Sequence, residues 1–159
     1  MVSAAALAEA ATRARWPARM QRLAEGPLVR RLASGSRVWL DGGHNAAAAA
    51  AVAEAFAQQL NGGRAHLVLG MLANKDAAGL LAPFAPLAES LTAVPVPGHD
   101  DHRPEALAAI ASALGIQASI AADVPSAFDA LSGPSRDVLI LGSLYLAGEV
   151  LGANDELPD

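Results

Sequence analysis

The run DVLILGSLYLAGEVL, residues 137–151, decides the fold. Val138-Leu139-Ile140-Leu141 is apolar without alternation, the composition of a strand covered on both faces rather than one with a wet side. Gly142-Ser143 interrupts the run, and residues 144–151 then read as a helix. A doubly covered strand followed by a short polar break and a helix is the repeating unit of a parallel α/β sheet.

The same unit recurs toward the amino terminus. RVWLD (37–41) reads as a strand, followed by a helix over 45–60 and a turn at Asn61-Gly62-Gly63. HLVLG (66–70) is a second strand, and 76–88 reads as a helix interrupted by Pro83 and Pro86. SLTAVPV (90–96) is a third strand, with Pro95 suited to a strand end or an edge. A helix over 104–114 has proline near its first turn and Gly115 just past its end, followed by a strand at 117–120 and a helix at 125–131. Residues 3–12 are an alanine-rich helix that must end before Trp16-Pro17, and the acidic stretch 152–159 reads as a flexible tail. The expected architecture is a Rossmann-like α/β three-layer sandwich, a mainly parallel sheet of five to six strands with helices on both faces.

Composition bounds the function. The 159 residues suit one domain, 53% hydrophobic and 17% charged with mean hydropathy +0.30, on the folded side of the disorder boundary. Alanine makes up about a quarter of the chain, an excess that allows helices to pack closely on a sheet. The net charge of -5 and the absence of any basic run longer than Arg30-Arg31 provide no footprint for nucleic acid or an anionic membrane. Zero cysteines exclude disulfides, thiolate metal sites and a cysteine nucleophile. With no membrane span or signal peptide in view, the cytoplasm is the expected compartment.

Ligands of such sheets bind beyond the carboxyl ends of the strands, so the residues after each strand carry the functional reading. Asp41-Gly42-Gly43-His44-Asn45 runs into a helix: the glycines allow close approach, the helix start offers free amides, and Asp41 can accept from a ribose or an amine. It equally describes a turn capped by Asn45 with His44 exposed. The stretch is neither GxGxxG nor GxxxxGK[ST], which disfavours a dehydrogenase or a free-standing P-loop ATPase. Ser143 lacks the GxSxG context of a hydrolase nucleophile and reads first as a helix cap or ligand contact. His99-Asp100-Asp101-His102 has metal-ligating residue types, yet adjacent residues on a loop diverge, so a solvated loop is expected and no metal site. Lys75-Asp76 reads as a phosphate or carboxylate contact or as a surface pair with Asp76 in a helix's first turn, and Arg19 has a fork suited to phosphate.

Taken in order, WPARMQ (16–21), VWLDGGHN (38–45), LGMLANKD (69–76), Arg103 and LGSLYLAGEVL (141–151) resemble the carboxyl-terminal domain of folylpolyglutamate synthase/dihydrofolate synthase, of the Mur ligase superfamily. The resemblance implies an ATP-dependent ligase that joins L-glutamate to folate or dihydropteroate through an acyl phosphate. It makes Arg19 a contact to ATP phosphate and a catalytic group, Asp41 and Asn45 further ATP contacts, and His44 a catalytic and substrate contact. Ser143, with Lys75 and Asp76, falls on the glutamate side. It divides the chain into the end of an interdomain helix or linker (1–14), the ligase domain (15–151) and the tail (152–159). The amino-terminal ATPase domain, with its phosphate loop and magnesium ligands, is expected outside this chain, leaving the isolated domain inactive. The chain departs from the family pattern at Gly43, where alanine or valine is common, at Asn74, where aspartate is, and at Ala46, where proline is. The readings left beside it are the corresponding domain of a cell-wall Mur ligase, a non-catalytic Rossmann-like nucleotide-binding module, and a hydrolase using Ser143.

Overall fold

The computed structural model describes residues 19–156; the helix expected at 3–12, Trp16-Pro17 and residues 157–159 lie outside them. Six strands form one sheet in the order β1-β2-β6-β3-β4-β5: β1 (Gln21–Arg22), β2 (Arg37–Asp41), β3 (Ala65–Leu69), β4 (Ala88–Ala93), β5 (Ala118–Ile120) and β6 (Asp137–Leu141). All neighbours are parallel except β1, which runs antiparallel to β2. The helices are α1 (Ala46–Leu60), α2 (Ala77–Leu81), α3 (Pro104–Ala113), α4 (Val124–Asp129) and α5 (Leu144–Ala153).

The central strands are buried on both sides, as their unbroken apolar runs require. Leu139 and Leu141 of β6 face a core with Leu67 and Leu69 of β3, covered by α1, α2 and α3. Val138 and Ile140 face the other core, with Val68 of β3, under α4, α5 and Leu23, Leu28 and Leu32. In α1, Ala49, Ala53, Phe56 and Leu60 repeat at helical spacing and are the buried face. Phe56 meets Trp39 edge-on, with ring centroids 5.2 Å apart.

The chain passes from β2 to β3, moves outward to β5, and then returns to insert β6 between β2 and β3. That reversal is a topological switch point, and it sets the carboxyl ends of β2, β6 and β3 side by side. In register, Asp41 of β2 pairs with Leu141 of β6, which pairs with Leu69 of β3.

Three sequence expectations are revised. The helix expected over 76–88 is α2 followed by 3-10 turns at Ala82–Leu87 that hold both prolines, because a proline lacks the amide that an α-helical interior needs. The third strand begins at Ala88 and ends at Ala93, short of Pro95. The expected flexible tail is tied down as far as residue 156. There α5 continues to Ala153, and the buried Asn154 side chain accepts the amides of Leu28 and Val29 and donates to the Ala24 carbonyl.

Candidate functional site

At the end of β2 the Asp41 carboxylate is 5% exposed and has both oxygens engaged. Oδ1 accepts the Gly43 amide at 2.7 Å, and Oδ2 accepts the Met20 amide at 3.1 Å. Met20 has φ 44°, a left-handed conformation that is uncommon for a side chain of its kind. Asp41 therefore fastens the segment entering β1 to the end of β2, with the exposed Arg19 next to the fastening. A Cβ on Gly43 would stand 2.7 Å from Asp41 Oδ1, so a larger residue there would require the carboxylate to shift.

His44 is partly exposed, and its ring makes no hydrogen bond among the described residues. Asn45 is the N-cap of α1, its side chain accepting the Ala47 amide at 2.8 Å. Beside this loop lies a small apolar crevice of about 20 Å³, walled by Val52, Leu80 and Phe84.

At the end of β6, Gly142 takes φ 113°, and a Cβ there would collide with the Gly70 carbonyl and lie 2.7 Å from Met71 Cγ. Only glycine fits this crossing of two loops. Ser143 is 3% exposed and caps α5, its Oγ accepting the amides of Tyr145 at 3.1 Å and Leu146 at 3.3 Å. Those bonds use the oxygen's lone pairs and leave the hydroxyl proton able to donate.

After β3, Asp76 is the N-cap of α2, accepting the Gly79 amide at 2.9 Å, one position before the helical turn in which it was expected. Lys75 is partly exposed, and its carbonyl accepts from His102 Nε2 at 2.8 Å. The structure thus distributes the expected residues along one edge. Arg19, Asp41, His44 and Asn45 stand at β2, Ser143 at β6, and Lys75 and Asp76 at β3. Asn45, Asp76 and Ser143 each cap a helix, so the structural and ligand readings of these side chains share one position.

The His99-Asp100-Asp101-His102 run is not a solvated loop in the simple sense. His99 stacks on Tyr145, Asp101 Oδ2 accepts the Val96 amide at 2.7 Å, and His102 reaches Lys75. Among the described residues no three His, Asp or Glu side chains gather as a metal site. No helix there is long and apolar enough to cross a membrane. His99 and His102 had no signal in their spacing, because their partners lie 46 and 27 positions away.

The model of the Mur ligase family's glutamate ligase domain matches residues 18–144. No curated protein sequence matches the chain. Among solved structures, Escherichia coli FolC in complex with ADP is 28% identical, with TM-score 0.74 over 96% of this chain and 34% of its own. The Mycobacterium tuberculosis folylpolyglutamate synthase complexed with ADP and AMPPCP is 25% identical, with TM-score 0.74 over 90% of this chain and 33% of its own. A bifunctional folylpolyglutamate synthase/dihydrofolate synthase with Mn, AMPPNP and L-glutamate bound is 26% identical, with TM-score 0.73 over 96% and 35%. The chain therefore spans about a third of the length of the structures it matches. With the family model covering most of its length and this fold beneath it, the chain belongs to the Mur ligase family, as its glutamate ligase domain.

Proposed function

We propose that this domain is the glutamate-side, ATP-closing part of a folylpolyglutamate synthase/dihydrofolate synthase, an ATP-dependent ligase of the cytoplasm. The observation that carries the reading is the shared edge at the switch point: an exposed arginine one residue before the Met20 amide that Asp41 binds, and a buried serine hydroxyl just past the end of the neighbouring strand. Structures similar to this chain hold ADP, and one holds Mn, AMPPNP and L-glutamate, which supports nucleotide and amino-acid ligands for it.

In the reaction so assigned, the acceptor carboxylate of folate or dihydropteroate takes the γ-phosphoryl group of ATP, giving an acyl phosphate and ADP. The glutamate amine attacks the acyl carbon and loses a proton, and the tetrahedral intermediate expels phosphate to leave the amide. Arg19 presents its guanidinium to the phosphoryl oxygens and stabilises their charge as the P–O bonds change. Asp41 retains acceptor capacity for the nucleotide beyond its two amide bonds, and Asn45 lies beside it at the start of α1. His44, Ser143 and Lys75 meet the incoming glutamate. The ring of His44 is free to hydrogen-bond it, and Ser143 and Lys75 donate to its carboxylates; Asp76, already capping α2, stands at the margin of that group. Holding the amine against the acyl carbon is their contribution to the rate.

Among the described residues no cluster of carboxylates and histidines gathers that would hold magnesium. Its ligands are assigned to the ATPase domain, without which the domain turns over no substrate. In the complete ligase, assayed with ATP, glutamate and folate or dihydropteroate, Arg19→Ala or Asp41→Ala should lower the rate roughly 100-fold or more. Full activity in both variants overturns the assigned roles, and ligation to nucleotide-linked muramyl acceptors instead of folates moves the chain to the cell-wall branch.

A further inference from the structure

The loop at residues 99–103 contains none of the groups placed against substrate, yet it is bonded to two regions that do. His102 Nε2 donates to the Lys75 carbonyl at 2.8 Å, and the His102 amide donates to the Met71 carbonyl at 2.9 Å. The Ala73 amide donates to the Asp100 carbonyl at 3.0 Å, and Leu72 and Asp101 form an antiparallel bridge. The loop after β3 is thereby laced along its length to the loop after β4. On the other side, His99 lies flat on Tyr145 with centroids 3.7 Å apart and planes 21° from parallel. Tyr145 is 53% exposed, and its own amide is one of the two that Ser143 caps.

We infer that this loop is a brace for the amino-acid substrate, with His102 and His99 as positioning residues. His102 holds Lys75, and His99 holds the first turn of α5, which carries Ser143. The inference rests on the glutamate-side reading of Lys75 and Ser143 given above. Short loops otherwise sample many conformations, and a substrate that must order them binds more weakly by that amount. Arg19 and Asp41, on the far side of β6, are fastened separately through the Met20 amide. The brace therefore acts on the glutamate subsite and leaves the nucleotide side alone.

The test is steady-state kinetics of the complete ligase with glutamate and ATP varied separately. His102→Ala and His99→Ala should each raise KM for glutamate roughly 3- to 10-fold, the range of one lost hydrogen bond or ring contact. KM for ATP and kcat should stay within about twofold of the parent, a margin below that range. His102→Gln, which keeps an N–H donor, and His99→Phe, which keeps a stacking ring, should restore KM for glutamate. Melting temperatures show whether each variant is folded; the exposed His99 position tolerates truncation, so that arm stands by itself if His102→Ala unfolds. An unchanged KM for glutamate, an equal rise in KM for ATP, or failure of the conservative variants to rescue overturns the brace. Absence of glutamate-dependent product in the parent enzyme overturns the functional reading instead.

Discussion

Two regions of this molecule treat imidazole and hydroxyl side chains in opposite ways. Along the carboxyl edge, His44 is partly exposed without a hydrogen bond among the described residues, and the Ser143 hydroxyl keeps a proton to donate. Inside the sheet, a stripe across β3, β4 and β5 is closed on itself. His66 is 3% exposed, with Nδ1 at 2.6 Å from Ser90 Oγ and Nε2 at 2.8 Å from Thr92 Oγ1. Thr92 Oγ1 lies 3.2 Å from Ser119 Oγ, which in turn donates to the Leu91 carbonyl. One order gives every proton in the stripe an acceptor: Ser119 to the carbonyl, Thr92 to Ser119, His66 Nε2–H to Thr92, and Ser90 to His66 Nδ1. It assigns the Nε2–H tautomer from the network. The difference teaches that residue type alone does not mark a site: the buried imidazole and hydroxyls satisfy one another within the sheet, whereas the groups of the proposed site keep hydrogen-bonding capacity open at the strand ends.

The comparison can be broken most severely at Gly142. Gly142→Ala puts a Cβ against the Gly70 carbonyl at φ 113°, and should destabilise the chain by about 3 kcal/mol or more in urea unfolding. A smaller loss would mean that the two loops separate easily.

The closed stripe predicts an acid limb in stability. Burial, helped by the Arg136 charge, lowers the His66 pKa from 6.5 to about 4. Between these pH values the unfolded chain binds a proton that the folded chain refuses. The contribution of His66 is thus complete above pH 6.5 and declines as pH falls, by about 3 kcal/mol once pH reaches 4. Denaturation series at several pH values should show this slope in the parent and lose it in His66→Gln. Thr92→Val removes the acceptor for His66 Nε2–H and should destabilise by about 2 kcal/mol at neutral pH, without affecting ligation in the complete enzyme. The smallest effect is expected from Asn45→Ala, about 1 kcal/mol from the lost α1 cap. A much larger fall in ligation than in stability there would place Asn45 on the functional side of the comparison.

Much of the architecture was legible because it rests on local composition. The strands 37–41 and 137–141 are found at those residues, and α1 begins one residue beyond Asn45. The two-residue β1 was not legible, since its pairing with Leu40 and Trp39 of β2 has no local period. Asn154 looked like part of a frayed terminus because its partners, Ala24, Leu28 and Val29, lie at the other end of the chain. For His66 the local pattern indicates only a strand residue, because the hydroxyls that satisfy it come from β4.

The order of apolar runs and polar strand-ends determined a doubly covered parallel sheet and named the residues of its carboxyl edge, because burial and turn chemistry act over a few neighbouring positions. Which of those residues are tied down and which remain open was decided only when β6 returned between β2 and β3 and the loop at 99–103 closed on Lys75 and Tyr145. Hydrogen bonds and ring contacts between residues tens of positions apart exist only once the chain has paid the entropy of bringing them together.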